Sequence, residues 1–415
     1  MMDLSMEDKF EQTQADLPVE PAPPGSLREL IDRVTGRDLP SALESGDAGL
    51  AEVLPFPFLA LVGQVEMKVA LLLALINPAV GGVLLIGPRG TGKTTAVRSL
   101  IDLLPDVPRS LCHYGCMPED IETDGIDAVC PDCARKYALG EPLAQLDRVR
   151  LVELPLNANL TDVVGGIDEI AAMHDRMRLH RGILANADQN VLYIDEVNLL
   201  GDDIVDAILD AAAQGIYTVR RGLMSATYRA RLVLIGSMNP EEGRLRPQIM
   251  DRFGLRLVVR GLQEQDQRLE AYHRAIAYRR NPRAMIAHFA LETQVAQAEI
   301  QNARQLLPQV ELPQQVADIG LEMIKNLGID SLRAEISLFE AARAYAAADG
   351  RLLVRPDDLR QVAPMALRLR RSVFMDEFFA ERQVEEGEIS NTIEEAFSKF
   401  QAPDVQRLSD SRPDI

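Results

Sequence analysis

Gly82-Val-Leu-Leu-Ile-Gly-Pro-Arg-Gly-Thr-Gly-Lys-Thr-Thr95 is the stretch from which the fold can be read. A short apolar run, residues 83–86, enters Gly87-Pro88-Arg89-Gly90-Thr91-Gly92-Lys93-Thr94, which fits the pattern G-x-x-x-x-G-K-[ST]; residues 95–104 then read as helix. Strand, glycine-rich turn and helix form the context in which this motif cradles phosphates. The glycines let backbone N–H groups turn toward the phosphates, the lysine neutralises the outer ones, and the hydroxyl of Thr94 is placed to ligate Mg2+. Gly87 through Thr95 are therefore the candidate ATP-binding residues.

Further apolar runs bounded by turn signals recur at 149–152, 191–194, 232–235 and 255–259. Runs this short suit strands buried on both faces of a parallel sheet. Helical patterns lie between them; one carries Ile204, Ile208, Leu209 and Ala212 on a single face, with Asp202 or Asp203 expected as its N-cap and Gly215 as its end. The alternation implies a doubly wound α/β domain. Two of the runs end in chemistry. Asn190-Val-Leu-Tyr-Ile-Asp-Glu196 closes on two acids, of which Asp195 would hold the Mg2+ shell and Glu196 would activate the attacking water. Leu232-Val-Leu-Ile-Gly-Ser-Met-Asn-Pro240 presents Asn239, an amide able to position that water or simply to begin an Asn-Pro turn. From 262 to about 379 the pattern is helical throughout, with breaks at Pro308, Pro313 and Pro356.

The chain has 415 residues, 47% hydrophobic and 26% charged, and a formal charge of −19. Phosphate neutralisation needs a basic surface, so general nucleic-acid binding is excluded. The charge is concentrated at the ends: residues 1–54 hold 12 acids against 4 bases, and 381–415 hold 9 against 4. Both read as solvated, largely disordered extensions, with a short amphipathic helix expected at 27–34. No run reaches the ~18 apolar residues of a membrane span, and the N-terminus lacks the pattern of a secretory signal. A cytoplasmic location is the resulting expectation.

All four cysteines fall in one segment, 110–135: Cys112 and Cys116, then thirteen residues, then Cys130 and Cys133. Paired short spacings in a reducing compartment point to a tetrahedral structural Zn2+ site, with a redox-active pair or unliganded thiols as the other readings. Few apolar residues lie between the pairs, so a metal would supply folding energy that a core cannot. His113 could replace one cysteine as a ligand, though four thiolates make that unnecessary; the remaining histidines, His174, His180, His273 and His288, show no metal-ligand spacing.

Longer local patterns carry a family resemblance. Phe58-Leu-Ala-Leu-Val-Gly-Gln-Val-Glu-Met-Lys68, the phosphate loop, Asp195-Glu-Val-Asn-Leu-Leu200, Gly236-Ser-Met-Asn-Pro-Glu-Glu-Gly243 and Leu245-Arg-Pro-Gln-Ile-Met-Asp-Arg-Phe-Gly254 together resemble the I-type ATPase subunit of magnesium chelatase, over about 55–375. Residues 154–168 look like that family's insertion and 217–231 like its hairpin. The resemblance implies a P-loop AAA+ parallel-sheet sandwich over 55–261, an all-helical lid over 262–380, and assembly as a hexameric ring. It implies that Arg252 reaches ATP on the neighbouring subunit and that Arg333 senses nucleotide from the lid, with surface ion pairing as the alternative for both. It further implies a D-type partner carrying an integrin-I domain and a porphyrin-binding H-type partner, with Mg2+ insertion into protoporphyrin IX as the driven reaction. A chelatase-like remodeller of the MoxR kind would use the same residues, whereas a slow nucleotide switch would not need Glu196, Asn239 and Arg252 together. The cysteine segment departs from the family pattern.

Overall fold

The computed structural model describes residues 54–104, 106–167, 179–222, 224–243, 245–370 and 389–395. The N-terminal extension, apart from Leu54, and the expected helix at 27–34 lie outside the described residues, as do 371–388 and 396–415. Within the acidic C-terminal segment, 389–395 are helical.

Eleven strands are present among the described residues: β1 Val83–Ile86, β2 Asp106–Ser110, β3 Ala144–Arg148, β4 Leu151–Leu154, β5 Gly165–Ile167, β6 Leu179–Arg181, β7 Val191–Ile194, β8 Ile216–Arg221, β9 Met224–Arg229, β10 Val233–Met238 and β11 Leu255–Val258. Five of them form one parallel sheet in the order β11-β1-β10-β7-β4. Every residue of β1, β7 and β10 is buried, as expected for strands covered on both faces. One face packs on the helices Val65–Ile76 and Lys93–Ser99 and continues into the helical region; the other packs on Leu160–Val164, Ile183–Asn186 and Asp202–Gln214. The remaining strands pair in three separate antiparallel ribbons, β2–β3, β5–β6 and β8–β9.

Four local expectations shift, one being the strand expected at 232–235, which runs from Val233 to Met238. The strand expected at 149–152 runs instead from Leu151 to Leu154, because the Asn190 carboxamide takes the Arg150 N–H at 2.9 Å and pairing with β7 starts only there. The helix expected at 95–104 starts at Lys93 and tightens into a 3-10 turn over Leu100–Leu103. Leu104 is extended, as a residue before proline tends to be. Neither Asp202 nor Asp203 caps its helix: the N-cap is Gly201, and both acids sit in the first turn, where their charge still favours the positive helix end. Gly215, at φ 69°, ends that helix in the left-handed conformation that glycine adopts without strain.

The helical region comprises Gln265–Arg280, Pro282–Leu306, Gln314–Asn326, Leu332–Ala348 and Pro356–Leu367. The Ala-rich helix is its axis. Ala334, Ala341, Ala342, Ala344, Ala346 and Ala347 are buried, and small side chains there allow neighbouring helices to approach closely. Pro313 caps one helix and Pro356 opens the last, the positions at which a missing N–H costs least. No described helix is long and apolar enough to cross a membrane.

Candidate nucleotide site and cysteine cluster

The strand order places the C-terminal ends of β1, β7 and β10 side by side, where ligands bind in open parallel sheets. A cavity of about 400 Å³ opens there, lined by Arg89 to Thr95, Asp195, Glu196, Ser237 and Asn239. Gly90 and Gly92 hold φ of 77° and 86°, so the loop needs glycine for its backbone rather than for space. At Gly87 the reason is contact: a Cβ would collide with the Val259 carbonyl of the adjoining chain segment. Lys93 is buried, and its Nζ donates to the Gly87 and Pro88 carbonyls at 2.7 and 2.8 Å. Burial lowers its pKa, against the raising pull of Asp195 and Glu196.

Thr94 Oγ1 donates to Asp195 Oδ2 at 3.2 Å. Tyr193 Oη donates to Asp195 Oδ1 at 2.9 Å and Ser237 Oγ reaches the same oxygen at 2.5 Å, so that carboxylate has one oxygen held by the sheet and the other toward Thr94. Hydroxyl and carboxylate together are hard oxygen donors of the kind Mg2+ takes, and the pair fits that ion. Glu196 follows at φ 52°, beside Arg89 at 3.5 Å. Arg89 also pairs with Glu242. Desolvation, then the charge of Glu242, raise the Glu196 pKa. Asn239 is buried at the tip of β10, its Oδ1 accepting the Glu241 N–H at 3.3 Å.

The sequence motifs do not single out Tyr193, Ser237 or Glu242. The first two carry a signal all the same, since a strand's period of two puts Tyr193 on the face of Asp195 and Ser237 on the face of Asn239. A second cavity of about 680 Å³ adjoins the loop, between Phe56, Leu61, Met67, Leu262 and Tyr278. It joins apolar and polar lining beside the phosphate loop, as a nucleobase and sugar require.

The two candidate arginines lie elsewhere. Arg252 ends the helix Pro247–Arg252 and pairs with Asp210 at 2.7 Å and Asp206 at 3.5 Å; it does not line its own chain's cavity. Arg333 pairs with Asp251 at 3.5 Å and does not line it either. Both are thus engaged in the ion pairs that formed their alternative reading.

The ribbon β2–β3 carries the cysteines. Cys112 Sγ lies 3.6 Å from both Cys116 Sγ and Cys130 Sγ, and all four sulfurs lie within 4.8 Å of one another. Four thiolates at ~2.3 Å from one Zn2+ stand ~3.8 Å apart along a tetrahedral edge, so the cluster needs only a small contraction to fit. The Tyr114 N–H points at Cys112 Sγ (3.3 Å) and the Cys130 N–H at Cys116 Sγ (3.4 Å), bonds that favour thiolate. The hydrogen bond with Cys116 pulls the Cys112 thiol down, while burial pushes the Cys133 thiol up.

The chain is similar to several known proteins. Residues 324–393 match the AAA lid domain family. The magnesium-chelatase 38 kDa subunit of Acidiphilium rubrum is 42% identical, over 80% of this chain and 95% of that protein. The magnesium-chelatase subunit ChlI homolog of Methanocaldococcus jannaschii is 41% identical, over 77% and 87% respectively. Among solved structures, a chain from a cryo-EM reconstruction of the complex between the BchI and BchD subunits of magnesium chelatase is 38% identical, covers 77% of this chain and 97% of that one, and has a TM-score of 0.43. The chain belongs to the magnesium-chelatase I-subunit family of AAA+ ATPases.

Proposed function

We propose that this chain hydrolyses ATP with Mg2+ as the motor subunit of a magnesium chelatase, driving Mg2+ into protoporphyrin IX for (bacterio)chlorophyll synthesis. The observation that carries the reading is the convergence of Lys93, Thr94, Asp195 and Glu196 on one cavity at the ends of β1 and β7. Gly87 to Thr95 wrap the phosphates, Lys93 leaves its loop carbonyls for phosphate oxygens, and Thr94 and Asp195 hold the metal. A bound Mg2+ supplies charge neutralisation at the phosphate oxygens. Glu196 takes the proton of the attacking water, and Asn239 fixes that water's position.

Arg252 acts on the neighbouring subunit's nucleotide, which supports a ring, taken as a hexamer; its absence from its own chain's cavity favours this reading. Arg333 belongs to the sensing of nucleotide by the lid once the lid has moved from its Asp251 contact. In this reading residues 55–261 are the ATPase module and 262–380 its lid. The partners are a D-type subunit with an integrin-I domain and an H-type subunit that holds the porphyrin. One structural Zn2+ sits among Cys112, Cys116, Cys130 and Cys133. Four cysteines gathered as a metal-ligand set rather than paired as disulfides suit a reducing compartment, which supports a cytoplasmic location.

A reconstituted assay with porphyrin, Mg2+, ATP and both partners tests the proposal. Metalloporphyrin fluorescence should develop with this subunit and fail with Glu196→Gln. Insertion that proceeds equally well without the subunit would replace the chelatase reading with that of a protein remodeller.

A further inference from the structure

The cysteine insertion grips the end of the sheet opposite the nucleotide. Its partners are residues just before β7 and β10, Asp188 beside Gly115 and above all Arg229 and Arg231, whereas the cavity lies at the other tips of the same strands. The grip is specific. The Tyr114 carbonyl accepts the Arg229 N–H at 3.3 Å, the Gly115 carbonyl accepts Arg231 Nη2 at 3.0 Å, and the Ala128 carbonyl accepts Arg229 Nη2 at 3.4 Å. Asp120 pairs with Arg229 at 3.2 Å and Arg231 at 3.6 Å. The His113 and Tyr114 rings lie 5.8 and 5.7 Å from that of Tyr228. Three of the gripping residues, His113 to Gly115, belong to the turn between Cys112 and Cys116, whose N–H groups and sulfurs are themselves bonded together.

The element gripped is the root of the β8–β9 hairpin. Among the described residues, that hairpin's strands pair only with each other and with no strand of the central sheet. Its root is a junction. The Ala230 N–H goes to the Gly215 carbonyl at 2.7 Å, at the end of the helix that starts six residues after Glu196 and carries Asp206 and Asp210, the partners of Arg252. The Arg231 carbonyl accepts the Gln189 N–H at 2.7 Å, and from Arg231 the chain enters β10 toward Ser237 and Asn239. Thus the elements that carry the hydrolytic residues meet where the cysteine turns hold the hairpin.

We infer that the four-cysteine knuckle is a metal-dependent clamp on the root of the β8–β9 hairpin, fixing the base against which nucleotide-driven movement of β10 and the helix Asp202–Gln214 displaces the hairpin. The inference rests on the reading that the four thiols hold Zn2+. Without a metal, a segment whose buried cluster is two of the thiols themselves, Cys116 and Cys133, with Leu143 has little to hold the turns, so the carbonyls that meet Arg229 and Arg231 lose their fixed positions. Local opening then becomes easier at the root.

Hydrogen exchange on the full chain tests this, together with metal analysis of protein purified without chelator. Removal of zinc should speed amide exchange across Ile216–Arg221 and Met224–Arg229 by about tenfold or more. Asp120→Asn should keep one zinc per chain, since its side-chain oxygen still accepts the Met117 N–H (2.8 Å in the native chain), yet loosen the hairpin by about threefold through the weakened arginine pairs. Faster exchange in the knuckle alone, with hairpin amides unchanged after zinc removal, would overturn the clamp while leaving the zinc site intact. Absence of zinc from the wild-type chain would overturn it at its premise, and metal content tells the two failures apart.

Discussion

Glu196 sits between two opposing influences. Arg89 holds it from one side, and Glu242 binds the same arginine while pushing the Glu196 carboxyl toward its neutral form. A base must be ionised to act, so turnover should fall as pH drops through a value above the ordinary glutamate range. Glu242→Gln removes the like charge and frees Arg89 for Glu196; both changes lower the Glu196 pKa. The acid limb of the kcat profile should therefore move to lower pH, and a limb that stays put or rises would remove Glu196 as the titrating group. The division of labour at the cavity predicts a second contrast. Lys93→Ala should lose nucleotide binding, whereas Glu196→Gln should bind ATP normally and lose at least ~10²-fold in turnover. Fluorescent-nucleotide titration and phosphate release separate the two. The positive φ of Glu196 places this carboxylate at a point where a strand ends abruptly, a strained geometry found at functional sites.

At the scale of elements, the joint between sheet and helices turns on Asp251. Although burial alone would raise its pKa, the Ser331 hydroxyl at 2.8 Å and the charges of Arg370 and Arg256 hold it below the usual carboxylate value. Both arginine side chains are fully buried, and they also serve the Leu369, Gly254 and Phe253 carbonyls. Arg256→Ala would strip donors from buried acceptors and should cost about 3 kcal/mol. Urea unfolding measures this, and a loss under about 1 kcal/mol would mean the joint does not depend on the pair. The run 255–259 reads as a strand buried on both faces, yet nothing in that pattern says how a charged side chain at Arg256 is satisfied there; only tertiary partners 112 and 113 residues away explain it. By contrast, β1 and β7 are legible residue for residue, because four apolar residues between glycine, asparagine and acid turns leave little choice of register. The start of β4 is not, since it depends on the side chain of Asn190, a residue 40 positions away. The phosphate loop and the two acids are equally legible, as local motifs. The support from Tyr193 and Ser237, and the cavity between Phe56 and Tyr278, depend on the fold's assembly.

The whole molecule is the scale at which Arg252 has its meaning. In a single chain it is held by Asp206 and Asp210 on the helix that follows Glu196, apart from its own cavity. A charge that must reach a γ-phosphate in trans supplies ~10³- to 10⁵-fold in rate when it arrives. The proposed site is therefore divided between neighbours, one giving Lys93, Thr94, Asp195 and Glu196, the other Arg252, and neither half suffices. The most direct measurement mixes Arg252→Ala subunits with Lys93→Ala subunits and follows ATP turnover against each variant alone. In mixed rings, an intact cavity on an Arg252→Ala subunit faces the intact Arg252 of a Lys93→Ala neighbour, so turnover should rise well above either inactive parent. Verified mixed rings with no gain over the parents would contradict an ATPase site shared between subunits.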